Sequence, residues 1–152
     1  MNSMITVNSK KELNELIEQR IKEQGPNCDL NDIDVSNVTD MSLLFLDSDF
    51  NGDISQWNVS NVWNMVSMFE RSYFNGDISR WNVSNVKSMD GMFQYSKFNR
   101  DISNWNTKSL KFATFMFYGS KFSGDVSRWD LSNVENMYNI FAESPLDWRR
   151  IK

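Results

Sequence analysis

A 24-residue repeat is the feature that most constrains what this chain can fold into. Residues 50–69 read FNGDISQWNVSNVWNMVSMF, and they come back with few changes as residues 74–93, 98–117 and 122–141. Tryptophans mark the same place in each copy, with no insertion or deletion between them, at Trp57, Trp81, Trp105 and Trp129. A fixed period in the range of roughly 20–50 residues is typical of arrays in which each unit packs on its neighbours.

The repeat divides the chain into five units, called units 1 to 5, at residues 29–52, 53–76, 77–100, 101–124 and 125–148. Residues 1–28 precede them and contain a β-prone run followed by an amphipathic stretch. Ser9 and Glu12 have the spacing of a capping box, and Gly25 is typical of a helix end. We expect residues 1–28 to be an N-terminal strand and helix cap and residues 149–152 to be a basic tail, all in one structural domain.

The pattern within one unit predicts a strand and a helix. Trp57 and Val59 alternate with polar residues, which is the period of a half-buried strand. Val62, Met65 and Phe69 share one helical stripe. The sequence therefore predicts an α/β repeat solenoid: a short, right-handed, leucine-rich-repeat-like arc with parallel strands on its concave face, short helices on its convex face and an N-terminal helical cap.

Recurring residues are predicted to serve the fold. The apolar positions, Met137 and Leu131 included, are interpreted as core, because methionine packs well against stacked aromatics, rather than as metal or cofactor ligands. Each unit opens with an aspartate, and a column of carboxylates could bind calcium. We expect these aspartates to cap turns instead, since each follows a turn whose backbone N–H groups need acceptors. They are Asp29, Asp53, Asp77, Asp101 and Asp125.

Candidate partner-binding residues are those that vary between units. Two polar columns are expected on the concave strand face. The first column is Asp32, Gln56, Arg80, Asn104 and Arg128, and the second is Asp34, Asn58, Asn82, Asn106 and Asp130. Aromatic residues that break the repeat are expected on the helical side, either as an exposed patch or with one ring buried by a shifted helix next to Ala113. They are Trp63, Phe112, Phe115, Tyr118 and Tyr138.

Charge and composition narrow the function. The net charge of −4 and the pI of about 4.8 argue against a nucleic-acid binder. Unit 1 has six acids and no base, which suggests a solvated face or a field that steers a basic partner. The chain has no histidine, no phosphate-binding loop and a lone cysteine, Cys28, so nothing indicates an enzyme or a cofactor. Because neither a secretion signal nor a membrane span is visible, we expect a cytoplasmic protein, or a cell-surface one if a leader is missing.

The repeated FNGDISxWNVSNVxxMxxMF resembles the bacterial BspA-like or DUF285 repeat family, over residues 29–147. That resemblance implies a leucine-rich-repeat-like solenoid and a binding role, often at cell surfaces, without an assigned enzymatic activity. Because neither a lipid-attachment cysteine near residue 1 nor a wall anchor is visible in residues 1–152, we expect this chain to differ in location from the surface members.

The sequence therefore predicts a non-enzymatic protein–protein interaction module. A concrete version is a phage or mobile-element inhibitor of a host defence protein. The alternatives are a fragment of a surface adhesin and, more remotely, a carboxylate-based hydrolase. The expected partner is another protein, and a homodimer through the C-terminal edge is a further alternative.

Overall fold

The computed structural model describes residues 3–146, and its regular elements lie near the N-terminus. Strand β1 spans Ile5–Thr6, helix α1 spans Lys10–Gln24 and strand β2 spans Ile33–Asp34. The two strands pair in parallel, so that Ile5 lies opposite Ile33. The predicted β-prone run and the predicted helix are both confirmed as elements of the structure.

Local sequence explains the limits of α1. The Ser9 side chain accepts a 3.1 Å hydrogen bond from the N–H of Glu12, which satisfies one of the free donors of the first turn. Gly25 ends the helix at φ 88°, and its N–H donates to the Ile21 carbonyl at 2.8 Å. Leu13 and Ile17 are fully buried, so α1 joins the same core as the repeat units.

The predicted α/β repeat solenoid is wrong. Within residues 3–146 there is no helix besides α1 and no strand besides β1 and β2, so the concave sheet and the convex helices are absent and no repeat arc is evident. Apart from β2, which lies in unit 1, the units consist of turns and short irregular segments. Isolated parallel bridges link equivalent residues of successive units, as between Asp40 and Asn64 and between Asn64 and Ser88.

Backbone conformation explains why the predicted helices do not form. In unit 2, Ser67 and Arg71 have φ of 52° and 51°, in the left-handed region that interrupts a right-handed helix. The N–H of Ser67 donates to Asp90 of the next unit at 2.9 Å instead of to a residue one turn earlier. Left-handed residues recur at the same two places in the other units: Leu43, Asp47, Gly91, Tyr95, Phe115, Gly119, Asn139 and Glu143.

The predicted strands fail for a similar reason. The N–H of Trp57 donates to the carbonyl of Ile54 at 3.2 Å, and the N–H of Val62 donates to Val59 at 3.0 Å. Both bonds close tight turns around the segment that the alternation assigned to a strand. The alternation of buried and exposed residues in this segment therefore arises from consecutive turns and not from a strand.

The core consists of aromatic ladders that run from unit to unit. Phe45, Phe69, Phe93, Phe117 and Phe141 stack in succession, with ring centroids 5.4–5.7 Å apart. The repeat tryptophans are buried as predicted, and Trp57 stacks on Trp81 at 6.4 Å.

Two predicted core residues are not fully buried. Met137 is 44% exposed, and Leu131 is only partly buried. Both belong to unit 5, where the repeat pattern has eroded. Further along the chain, residues 149–152, assigned to the basic tail, lie outside the described residues.

Candidate interaction surfaces

The second polar column consists of turn-capping residues. In each unit the side-chain Oδ1 accepts a hydrogen bond of 3.0–3.1 Å from the backbone N–H two residues later. The residues are Asp34, Asn58, Asn82, Asn106 and Asp130. Since these oxygens hold the turns together, the column is first of all a structural feature of the repeat.

The first polar column contains residues that bond to other side chains and residues that are exposed to solvent. Asp32 accepts two hydrogen bonds from the Arg20 guanidinium, at 2.7 and 3.0 Å, and this contact holds the pKa of the Asp32 carboxyl below its usual value. Arg128 donates to Asn104 at 2.6 Å. Gln56 and Arg80 are exposed and line a shallow depression.

Much of the negative charge of unit 1 is paired within the molecule. Asp40 lies 3.8 Å from the Lys10 ammonium, and Asp47 accepts a 2.6 Å hydrogen bond from Arg71. Asp32 is held by Arg20 on α1. These contacts weaken the field that the sequence alone suggests for this unit.

The unit-opening aspartates cap turns, as predicted. Each Oδ1 accepts a bond of 2.8–2.9 Å from the N–H two residues later. Within residues 3–146 no group of three or more Asp, Glu, Cys or His side chains is placed to hold a metal ion. Cys28 is buried, and burial raises the pKa of its thiol, which disfavours the nucleophilic thiolate.

Three of the predicted aromatics meet on the surface. The ring of Phe115 lies edge-to-face against Tyr118 and against Tyr138, with both centroid distances at 5.5 Å. Tyr118 also contacts Tyr95 edge-to-face at 5.4 Å. We call Tyr95, Phe115, Tyr118 and Tyr138 the aromatic patch. Tyr138 is 63% exposed and Tyr95 is 47% exposed, so the patch presents rings to solvent.

Sequence reasoning missed Tyr95 as a member of the patch. The signal was available, because Tyr95 occupies the unit position held by Asp47, Arg71 and Gly119 and so breaks the repeat. Gly119 provides the space for the ring: a Cβ there would lie 2.5 Å from Tyr95 carbons. The glycine at this position therefore allows Tyr95 to reach Tyr118.

The polar end of the patch lies at the Tyr118 hydroxyl. Interaction with Tyr95 and with the Glu143 carboxylate raises the pKa of Tyr118 to about 12. Neutral tyrosine is thus favoured at Tyr118.

Trp63 and Phe112 are exposed but lie apart from this cluster. Trp63 is 48% exposed and Phe112 is 41% exposed. In the described part of the chain, neither forms a ring contact with the aromatic patch. No shifted helix buries Phe112 or Phe115, because the segment contains no helix.

These features define the class of the protein: a turn-built repeat protein whose core is formed by stacked aromatics and whose non-repeating aromatics face solvent. The chain belongs to the family described as Mycoplasma protein of unknown function, DUF285, whose model matches residues 11–119 and 72–147. The resemblance seen in the repeats is thereby confirmed. No curated protein and no solved structure matches the chain. The one helix among residues 3–146 is too short and too polar to cross a bilayer.

Proposed function

We propose that this protein is a binding module that holds another protein through the aromatic patch. The observation that carries the proposal is the convergence of Tyr95, Phe115, Tyr118 and Tyr138 on one exposed cluster. None of the four rings is needed by the repeat, since no corresponding position in another unit holds an aromatic residue. Exposed aromatic clusters of this kind are typical of binding sites.

The chemistry of the patch supports protein recognition. Tyrosine combines a large apolar ring with a polar hydroxyl, and it is enriched among the residues that contribute most to binding energy. A charged group lies on the same segment in units 1 and 2, where Arg71 pairs with Asp47 and Glu70. A central aromatic cluster with charged residues beyond it follows the usual plan of an interface, with an apolar centre and a polar rim.

The more specific form of the proposal is an inhibitor, such as a phage or mobile-element protein, that blocks a host protein by occupying its surface. The adhesin fragment is the alternative. The inhibitor and the adhesin fragment would both bind through the aromatic patch, so one set of patch variants tests binding in either case.

Affinity capture from host lysate, followed by mass spectrometry, provides the test. The bait is the full chain, and the variant bait carries Tyr95→Ala with Tyr138→Ala. Tyr73→Ala is the matched control, because Tyr73 is 60% exposed and lies outside the patch. We expect one or a few proteins to be enriched by the unmodified chain and by the control and lost with the double variant. Equal enrichment by all three baits would contradict the proposal.

A further inference from the structure

Positive charge outnumbers negative charge in the middle of this acidic protein. Units 3 and 4 carry seven cations against three carboxylates. The cations are Arg80, Lys87, Lys97, Arg100, Lys108, Lys111 and Lys121. The close ion pairs within residues 3–146 involve Lys10, Arg20 and Arg71, whereas Arg80 and Arg100 act on Asp77 from a longer distance.

Two of these cations lie between exposed aromatic residues. The N–H of Lys87 donates to the Trp63 carbonyl at 2.9 Å, and the N–H of Lys111 donates to the Lys87 carbonyl at 2.9 Å. The N–H of Phe112 also donates to Lys87, at 3.1 Å. All four side chains are exposed. We call Trp63, Lys87, Lys111 and Phe112 the basic-aromatic stripe.

We propose that the basic-aromatic stripe binds a short acidic segment of a partner protein. Two carboxylates of the segment would meet the ammonium groups of Lys87 and Lys111, and its flanking apolar side chains would cover Trp63 and Phe112. The recurring residues of the repeat do not dictate this combination, because Thr39 and Glu135 occupy the same column in units 1 and 5.

The length of the stripe limits the length of the segment that it can bind. Hydrogen-bonded neighbours in a ladder lie about 4.8 Å apart, so the column from Trp63 to Lys111 covers roughly 10 Å. An extended peptide of about three to four residues spans that distance. The segment is therefore short.

Charge at the ends of the stripe favours a short peptide over a nucleic acid. The N–H of Glu135 donates to Lys111 at 2.9 Å, so a carboxylate follows directly on the last lysine of the column. Unit 1 lies beyond the other end, and although Asp32, Asp40 and Asp47 are paired with cations there, it contains six acids and no base of its own. A long polyanion would therefore extend beyond the two lysines towards carboxylates at both ends of the stripe.

This inference does not rest on the aromatic patch, because the two surfaces share no residue. A partner could use either surface alone. An experiment that shows no binding at the aromatic patch therefore does not contradict binding at the basic-aromatic stripe, and the reverse also holds.

NMR titration of the 15N-labelled full chain tests the proposal directly. The probe is a blocked eight-residue peptide with two glutamates, separated by one serine so that both face the same side, between a phenylalanine and a leucine. We expect saturable shifts of the Trp63 indole signal and of the Lys87, Lys111 and Phe112 amides. The indoles of Trp57, Trp81, Trp105 and Trp129 serve as internal references, because each is buried and hydrogen-bonded to a backbone carbonyl.

Charge reversal distinguishes binding at the stripe from a general effect of the net charge of the protein. Lys87→Glu with Lys111→Glu should weaken peptide binding by roughly tenfold or more, since both attractive contacts become repulsive. The matched control is Lys97→Glu with Lys121→Glu, which makes the same change of net charge in the same two units. We expect this control to bind within about threefold of the unmodified chain.

Several outcomes would overturn the proposal. They are the absence of shifts at millimolar peptide, equal weakening by the two charge reversals, and equal binding of a peptide with glutamines in place of the glutamates. Binding of a thymidine oligonucleotide at the stripe in preference to the peptide would assign the surface to nucleic acid instead.

Discussion

The indole Nε1 of Trp81 donates a 3.1 Å hydrogen bond to the carbonyl oxygen of Ile54, which lies 27 residues earlier in the chain. Trp57, Trp105 and Trp129 make the equivalent bond to the preceding unit, at 2.9–3.0 Å. A buried carbonyl that lost this donor would be left unsatisfied. Each repeat tryptophan therefore joins two units by a polar contact as well as by packing.

Replacement of Trp81 should be strongly destabilising. The side chain is 3% exposed and stacks on Trp57 at 6.4 Å. We expect Trp81→Ala to lower the free energy of unfolding by about 3–5 kcal/mol. Trp81→Phe keeps a ring but removes the donor to Ile54, and it should cost about 1–3 kcal/mol plus the lost volume. Urea denaturation followed by circular dichroism measures both changes.

Trp63→Ala is the control for that experiment. Its indole is 48% exposed, so we expect a change within about 0.5 kcal/mol. Similar losses for Trp81→Ala and Trp63→Ala would show that the tryptophan ladder does not stabilise the core.

Gly119→Ala should disrupt the aromatic patch. Gly119 has φ 64°, and an added Cβ would lie 2.5 Å from ring carbons of Tyr95. We expect a loss of stability of more than about 1 kcal/mol and displacement of the Tyr95 ring from Tyr118. The Tyr95 ring signals in an NMR spectrum report the displacement. Gly25→Ala is a useful comparison, because Gly25 also has positive φ but no atom lies within 4 Å of an added Cβ.

The hydroxyl network of Tyr118 can be tested by its ionisation. Tyr95 and Glu143 raise the pKa of Tyr118 to about 12, so we expect Tyr95→Phe and Glu143→Gln each to lower that pKa towards the ordinary value of about 10. Because the folded-state pKa lies above the unfolded one, this contribution to stability is present below pH 10 and is lost as the pH rises through about 12. Ultraviolet titration measures the pKa, and Tyr73→Phe, outside the patch, should leave the Tyr118 transition in place.

Acid should weaken the fold through the turn-capping carboxylates. The hydroxyl and the backbone N–H of Ser79 hold the pKa of Asp77 below its usual value, and Ser103 has the same effect on Asp101. A lowered folded-state pKa gives stability above the unfolded value, about 3.9, and that stability disappears as the pH falls through the folded-state pKa. We expect the urea midpoint to drop steeply below about pH 4.

Asp77→Asn should make that drop shallower, because one linked carboxylate is gone. Asp49→Asn serves as the comparison, since the exposed Asp49 side chain accepts no hydrogen bond within the described residues. An equal change in the two pH profiles would contradict the linkage.

Calcium should leave the fold unchanged. The unit-opening aspartates each accept a turn N–H, and they are spread one per unit rather than gathered around a common point. We expect equal melting temperatures in millimolar calcium and in chelator. A calcium-dependent rise of several degrees, reversed by chelator, would show that the column of aspartates binds the ion.

Composition and period reveal the core but not the backbone path. Phe69 and Trp81 are buried because every unit repeats their type and place, which the sequence displays directly. The left-handed conformations of Ser67 and Arg71 are not visible in these residues themselves, since neither is glycine, and only Gly91 and Gly119 at the equivalent positions hint at them. Their segment places apolar residues three and four apart, as a helix does, so periodicity alone predicted the wrong local structure.

Contacts between residues far apart in the sequence could not be predicted from it either. Asp32 was assigned to an open polar column, but Arg20 reaches it from α1. Tyr95 and Tyr118 meet across neighbouring units because Gly119 leaves room, a relation that no single unit expresses. The aromatic members of the candidate surface could thus be proposed from their departure from the repeat, whereas their grouping required coordinates.

The left-handed residues give the stacked segments a direction. In the segments that contain them, the N–H groups of Phe45, Ser67 and Phe93 donate to the following unit, to the carbonyls of Met68, Asp90 and Met116, so that within these segments donors face one way and acceptors the other. A twofold axis that brought two such segments side by side would place donor row against donor row. A symmetric pair of copies could not extend the ladder through these segments, whereas a head-to-tail order would extend it and leave the two copies in unequal positions.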